Sequence, residues 1–270
     1  MSAWVNGRRR STLDHRDRGL QYGDGLFETM RVRQRRVRLL DYHLERLSKG
    51  FRRLAIALEG ADLRGELERM ASGRNEGILK LIVTRGSGPR GYRITGGERA
   101  TRIATLHELP KGVFTAAARV RLCTTPVSVN ARLAGLKTLN RLDSVLARAE
   151  WRNVRVWEGL MSDPDGNWVC GTMSNLFVRR GAVLATPLLD RCGVAGVMRR
   201  WVLENAAGAG LRVEERRIRY KDLLSAEEIF MSNAVVGIRS VSAIERTPSG
   251  TVRTTSMDAA VRLRARLDLL

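Results

Sequence analysis

Lysine is scarce in this chain, and one lysine sits where it could do chemistry. Of the 48 lysines and arginines among 270 residues only five are lysines: Lys49, Lys80, Lys111, Lys137 and Lys221. Arginine stays protonated, whereas a desolvated lysine can release its proton and attack a carbonyl. Lys137 lies in Gly135-Leu136-Lys137-Thr138-Leu139-Asn140-Arg141. An amine there could form a reversible carbon–nitrogen double bond and afterwards act as a base. A second feature could hold an anion: Gly196, Val197 and Met198 open an expected helix, where unpaired N–H groups and the helix dipole favour negative charge. His15, His43 and His107 have neither nucleophile nor metal spacing, and His43 reads as a packing residue.

These residues need elements to place them. Leu26 to Arg33 alternates apolar and polar residues as a half-buried strand does. A turn at Gln34-Arg35-Arg36 leads to a hairpin partner at Val37 to Leu40. Leu44, Leu47, Phe51 and Leu54 recur at helical spacing and predict a helix from Asp41, its expected N-cap, to Ala57. A second helix is expected over Asp62 to Ser72. Strands at Gly77 to Arg85 and Arg102 to Leu109 flank the glycine-rich loop Arg85 to Tyr92. Pro110 and Gly112 mark a linker. Beyond it, strands near Val120–Val127, Gly159–Ser162, Trp168–Val178, Val183–Thr186 and Ile229–Ser232 alternate with helices near Leu142–Asn153, Gly196–Ala207 and Ser256–Leu267. Asn140 followed by Asp143 resembles a helix cap, so Lys137 is expected on a loop just before a helix. The fold class is α/β (α+β): a smaller N-terminal domain over 1–107, a linker over 108–112, and a larger domain over 113–270 that carries Lys137.

The bulk composition narrows the function classes. An apolar fraction of 43% and a charged fraction of 28% describe an ordinary globule. No run approaches the about 18 apolar residues of a membrane span, and no signal peptide is visible at the start. Cys123, Cys170 and Cys192 are far apart and not in metal-type pairs, which fits reduced thiols in a cytoplasm. The net charge of +20 raises a nucleic-acid reading. Its arginines are dispersed through every segment, so the expectation is no nucleic-acid partner, no membrane, and a small anionic substrate drawn by a basic field.

The segments Asp17 to Thr29, His43 to Leu47, Lys137 to Arg141, Gly171 to Phe177, Gly193 to Arg199 and Met231 to Ala234 together resemble the class IV (fold-type IV) pyridoxal-phosphate enzymes across nearly the whole chain. Within that family the chain is most similar to the 4-amino-4-deoxychorismate lyases, on the strength of the Arg85–Tyr92 loop and the Lys137–Arg141 segment. The resemblance implies a homodimer with pyridoxal 5'-phosphate on Lys137. It implies phosphate binding by Arg46, by Val194, Gly196, Val197 and Met198, and by Asn233 and Ala234. It makes Thr29 a pocket hydroxyl and places Arg90 on a loop near the active site, with Arg85 and Arg141 as alternative substrate cations. The implied activity is elimination of pyruvate from 4-amino-4-deoxychorismate to give 4-aminobenzoate, a folate precursor.

One position departs from the pattern. The family has a glutamate where this chain has Cys170, and that carboxylate keeps the pyridine nitrogen protonated. A buried thiol away from cations stays neutral. The departure disfavours a D-amino-acid or branched-chain aminotransferase more than a lyase, and it leaves a slow or non-catalytic homologue as a further alternative.

Overall fold

A computed structural model describes residues 3–58, 62–110, 117–246 and 250–268. The chain divides into two units, Met1–Lys111 with Leu136–Asn140, and Gly112–Gly135 with Arg141–Leu270. The linker expected over 108–112 falls partly outside the described residues. Lys137 belongs to the first unit, although sequence order places it with the second. The reason is backbone pairing: Lys137 O accepts from Phe27 N at 3.0 Å, and Leu139 N donates to Gly25 O at 3.1 Å.

The first unit runs β1 (Ala3–Val5), β2 (Arg8–Arg9), α1 (Arg18–Tyr22), β3 (Gly25–Arg33), β4 (Arg36–Val37), α2 (Leu40–Leu54), α3 (Leu63–Ser72), β5 (Glu76–Thr84) and β6 (Thr101–His107). Among the described residues its strands form one sheet in the order β2-β1-β6-β5-β3-β4. Alternation along β3 and β5 decides which face is covered. Leu26, Met30, Leu79, Leu81 and Val83 are buried, while Phe27, Thr29, Lys80 and Ile82 are half-buried on the opposite face. The α2 helix starts after Leu39, whose φ of 56° breaks the chain direction. Asp41 is therefore in the first turn and is not the expected N-cap.

The second unit runs β7 (Ala118–Leu122), α4 (Leu142–Ala149), β8 (Val156–Ser162), β9 (Trp168–Gly171), β10 (Asn175–Arg180), β11 (Val183–Pro187), α5 (Val197–Asn205), β12 (Arg212–Arg216), α6 (Tyr220–Leu224), β13 (Glu228–Asn233), β14 (Gly237–Arg246), β15 (Gly250–Arg253) and α7 (Asp258–Leu267). The strand order is β12-β11-β10-β13-β14-β7-β8-β9, and a further pairing of β9 with β10 curls the sheet into a barrel. The single strand expected over 168–178 is broken at Thr172 to Ser174. The cap expected at Asn140 is not used: Arg141 is the N-cap of α4 without a side-chain bond, and Asp143 accepts from Ser128 N at 3.1 Å. Among the described residues no helix is long and apolar enough to cross a membrane.

Candidate active site

In the first unit, Leu136–Asn140 lies extended along the start of β3, with Leu26 bridging Thr138. Leu136 and Thr138 are buried, so alternation turns Lys137 to the other side. Its Nζ rests 4.0 Å from the Phe27 ring centroid. Close approach of this segment depends on Gly25, where a Cβ would stand 2.9 Å from Leu139 Cδ1 and 2.5 Å from Val83 O. Thr29 follows Phe27 on the same face. Lys80, paired across the sheet with Thr29, brings its Nζ to 5.9 Å from the Phe27 ring.

The covered face of β3 holds a polar cluster that sequence reasoning did not single out. Glu28 is 1% exposed. It accepts from Arg46 Nε at 2.7 Å, from Arg46 Nη2, and from His43 Nδ1 at 2.6 Å. Burial raises the Glu28 pKa, but the Arg46 charge and then His43 outweigh it and hold the carboxyl down to about 2. Burial pushes His43 down against the pull of Glu28. The neutral ring then donates Nδ1–H to the carboxylate, an assignment from the bonding pattern, and its buried Nε2 has no hydrogen-bond partner among the described residues. Arg46 thus spends two nitrogens on Glu28. The signal was present: β3 alternation puts an acid on an apolar face, and a buried acid needs a cation such as one an α2 turn away from His43.

Arg85 is buried and its guanidinium is already engaged. Its guanidinium pairs with Asp24 at 2.8 and 3.0 Å and donates to Leu54 O and Ala55 O at the end of α2. Arg90 is exposed and has no ion pair or hydrogen bond among the described residues.

In the second unit, Gly196 is the N-cap of α5, and no side chain caps the first N–H groups, those of Val197 and Met198 included. That leaves donors and a helix dipole for an anion. A Cβ on Gly196 would sit 2.0 Å from Asn175 Oδ1, so only glycine fits. Asn175 Nδ2 donates to Val194 O at 2.8 Å. Gly135, two residues ahead of Lys137 in sequence, bridges Val194 through bonds to Gly193 O and from Ala195 N. Asn233 uses its own Oδ1 to close the turn after β13, accepting from Val235 N and Val236 N at 3.0 and 2.8 Å. Beside that turn, Ser232 Oγ is buried with no partner among the described residues, as is Ser240 Oγ.

Cys170 is half-buried on β9 opposite Asn175. Burial above all, then Cys192, Glu158 and Asp143, push its thiol well above the ordinary range against the opposing effect of Arg141. It is therefore a neutral thiol. Arg141 is half-buried near it, and desolvation lowers its pKa. Glu158 does not stand in for a carboxylate at Cys170. It accepts from Gly159 N, Thr172 N, Thr172 Oγ1, Met173 N and Ser174 Oγ at 2.6–3.2 Å, and so holds the turn that separates β9 from β10.

The family model for amino-transferase class IV matches residues 25–244. This chain belongs to that family. A 4-amino-4-deoxychorismate lyase from Pseudomonas aeruginosa is 42% identical, with a TM-score of 0.91 over 98% of this chain and 97% of its own. An aminodeoxychorismate lyase from Vibrio harveyi is 32% identical over 89% of this chain and 90% of its own. A D-alanine aminotransferase from Bacillus licheniformis is 28% identical over 91% and 89%. The class IV fold expected from the motifs is thus present over nearly the full length. Each unit holds groups whose chemistry suits a class IV coenzyme: an amine at Lys137 in the first, and in the second an uncapped α5 start and the orphaned Ser232 hydroxyl.

Proposed function

We propose that this chain is a pyridoxal-phosphate-dependent lyase that converts 4-amino-4-deoxychorismate to 4-aminobenzoate and pyruvate. The observation that carries the reading is the 42% identity to a named lyase over 98% of the chain, against 28–30% to named aminotransferases. Lys137 would hold the coenzyme aldehyde, the N–H groups of Val197 and Met198 with the Asn233–Ala234 turn would take its phosphate, and Arg46 would add charge. The coenzyme, when bound, withdraws electrons from the carbon bearing the substrate nitrogen. Once the substrate amine frees it, Lys137 Nζ takes the proton from that carbon. Thr29, on the Lys137 face of β3, is the pocket hydroxyl. Arg90, without a partner among the described residues, binds a substrate carboxylate, and Arg141 is the second candidate.

Cys170 favours elimination over amine transfer. A neutral thiol supplies no negative charge to hold a proton on the coenzyme ring, so electron withdrawal is weak. Loss of the enolpyruvyl group makes an aromatic ring and has a driving force of its own. We also propose a cytoplasmic homodimer. The support is three unpaired cysteines and the outward stripe Leu142, Val145 and Leu146 on α4, exposed by 59–76%.

The test is an absorbance spectrum with pyridoxal phosphate before and after borohydride, beside 4-aminobenzoate and pyruvate release. Wild type should fix the coenzyme on Lys137 and release both products in equal amounts. Lys137→Ala should do neither. Fixation on another residue, or amine transfer to a keto acid without pyruvate release, would overturn the reading.

A further inference from the structure

We infer that Arg18 is a positioning residue that sets affinity for the anionic substrate by fixing the loop that carries Arg90. The inference rests on the substrate role proposed above for Arg90. Arg18 opens α1, and its side chain is only 4% exposed. Its Nε donates to Asp24 Oδ2 at 2.9 Å. Its Nη1 donates to Gly91 O at 2.9 Å, and its Nη2 to Tyr92 O at 3.2 Å. The guanidinium also lies 5.0 Å from the Tyr22 ring centroid. Tyr22 in turn accepts from Gly91 N at 3.0 Å and meets the Tyr92 ring edge-on at 5.3 Å.

The loop has no regular structure of its own beyond Ser87, which bridges Asp17. Without the Arg18 fork, the carbonyls of Gly91 and Tyr92 would lose their buried donor. Arg18 is buried, and its three nitrogens are engaged by Asp24, Gly91 and Tyr92, so it is not placed to grip substrate itself. Arg90, one residue before the clasped carbonyls, supplies the attraction, and Arg18 supplies the geometry. Lysine cannot replace it, because a single ammonium cannot span an acid and two carbonyls in one plane. Asp24 also binds Arg85, which clasps the last carbonyls of α2, the helix that bears Arg46. One carboxylate therefore fastens both the Arg90 loop and the end of the Arg46 helix.

The experiment compares wild type, Arg18→Lys, Arg90→Ala and the double variant, all loaded with coenzyme. Hydrogen–deuterium exchange over residues 86–97 should speed up at least about tenfold in Arg18→Lys, with the remaining strands of the first unit unchanged. KM for 4-amino-4-deoxychorismate should rise about tenfold, with kcat within about twofold. The double variant should show the KM of Arg90→Ala alone, because Arg18 acts through Arg90. Unchanged exchange over the loop, unchanged KM, or additive effects in the double variant overturn the inference. A wild-type KM in Arg90→Ala instead overturns the substrate role of Arg90. A wild type without lyase activity overturns the proposed reaction and leaves the exchange rates to decide the clasp.

Discussion

Glu158 offers the sharpest prediction, because its carboxylate is wholly buried and accepts five hydrogen bonds from a seam of four residues. Consider Glu158→Gln. The oxygen that replaces Oε1 can still accept from Gly159 N, Thr172 N and Thr172 Oγ1. The new amide nitrogen faces Met173 N–H, donor against donor, where Oε2 accepted at 3.2 Å. Ser174 Oγ can turn and accept instead. One buried donor is orphaned at a cost of about 1–3 kcal/mol, and the surviving bonds fall from the charged range of about 1.5–3 to the neutral range of about 0.5–1.5 kcal/mol. The neutral amide no longer carries the cost of a buried charge, which offsets part of these losses and leaves a net loss of about 3 kcal/mol; at roughly 2–4 °C per kcal/mol this lowers Tm by about 6–12 °C. Ser174→Ala, which removes one donor of the five, should cost about 1 kcal/mol. The assay is thermal unfolding by circular dichroism without coenzyme. There is a second readout. The turn leads into Asn175, which holds Val194 ahead of the α5 start, so Glu158→Gln should also weaken coenzyme binding measured by absorbance titration. A Tm within about 2 °C of wild type would falsify the account, since so small a change matches an exposed surface substitution.

Further expectations concern the two units separately. Glu28 has its carboxyl held at about 2 instead of 4.5. A depressed acid contributes stability that is complete above 4.5 and is lost as pH falls toward 2, so wild type should lose roughly 2–4 kcal/mol more than Glu28→Gln between pH 5 and pH 2. Urea unfolding at both pH values checks this, and parallel pH curves for the two proteins would contradict it. The raised Cys170 thiol should react with iodoacetamide at least about tenfold more slowly than a free cysteine peptide at pH 8, a rate followed by mass spectrometry. Cys170→Glu should raise lyase turnover and raise amine transfer to keto acids further still; no gain in either would sink the argument from ring charge.

Much of the first unit was legible because its strands alternate cleanly. Leu26 to Arg33 and its partners at 77–85 and 102–109 fell within a residue or two of β3, β5 and β6. The helix over Asp62 to Ser72 was legible for a local reason, since Asp62 accepts from Gly65 N at 2.9 Å. The missed elements lack such patterns. The long β14 carries Arg239, Ser240, Ser242 and Glu245 among its apolar residues, and it is a strand because β13 and β7 flank it. The break between β9 and β10 was invisible because Thr172-Met173-Ser174 has strand-like composition, and the acid that bends it lies fourteen positions upstream of Thr172. At the candidate site, Lys137 was legible from its rarity and its surroundings. The pairing of Asp24 with Arg18 and Arg85 was not, because a sequence rich in arginine gives no hint of which guanidinium is already engaged.

The chain leaves the second unit at Leu136 and re-enters it at Arg141. A gene fragment ending at residue 111 would therefore encode every strand of the first sheet yet lack the five residues that pair with Phe27 N and Gly25 O. Such a fragment would display a raw edge beside Phe27 and lose its reactive amine. Expression of the halves as separate polypeptides should give a sticky, inert amino-terminal piece, and any fusion, permutation or chimaera made from this scaffold must carry the short returning stretch along with the piece it completes.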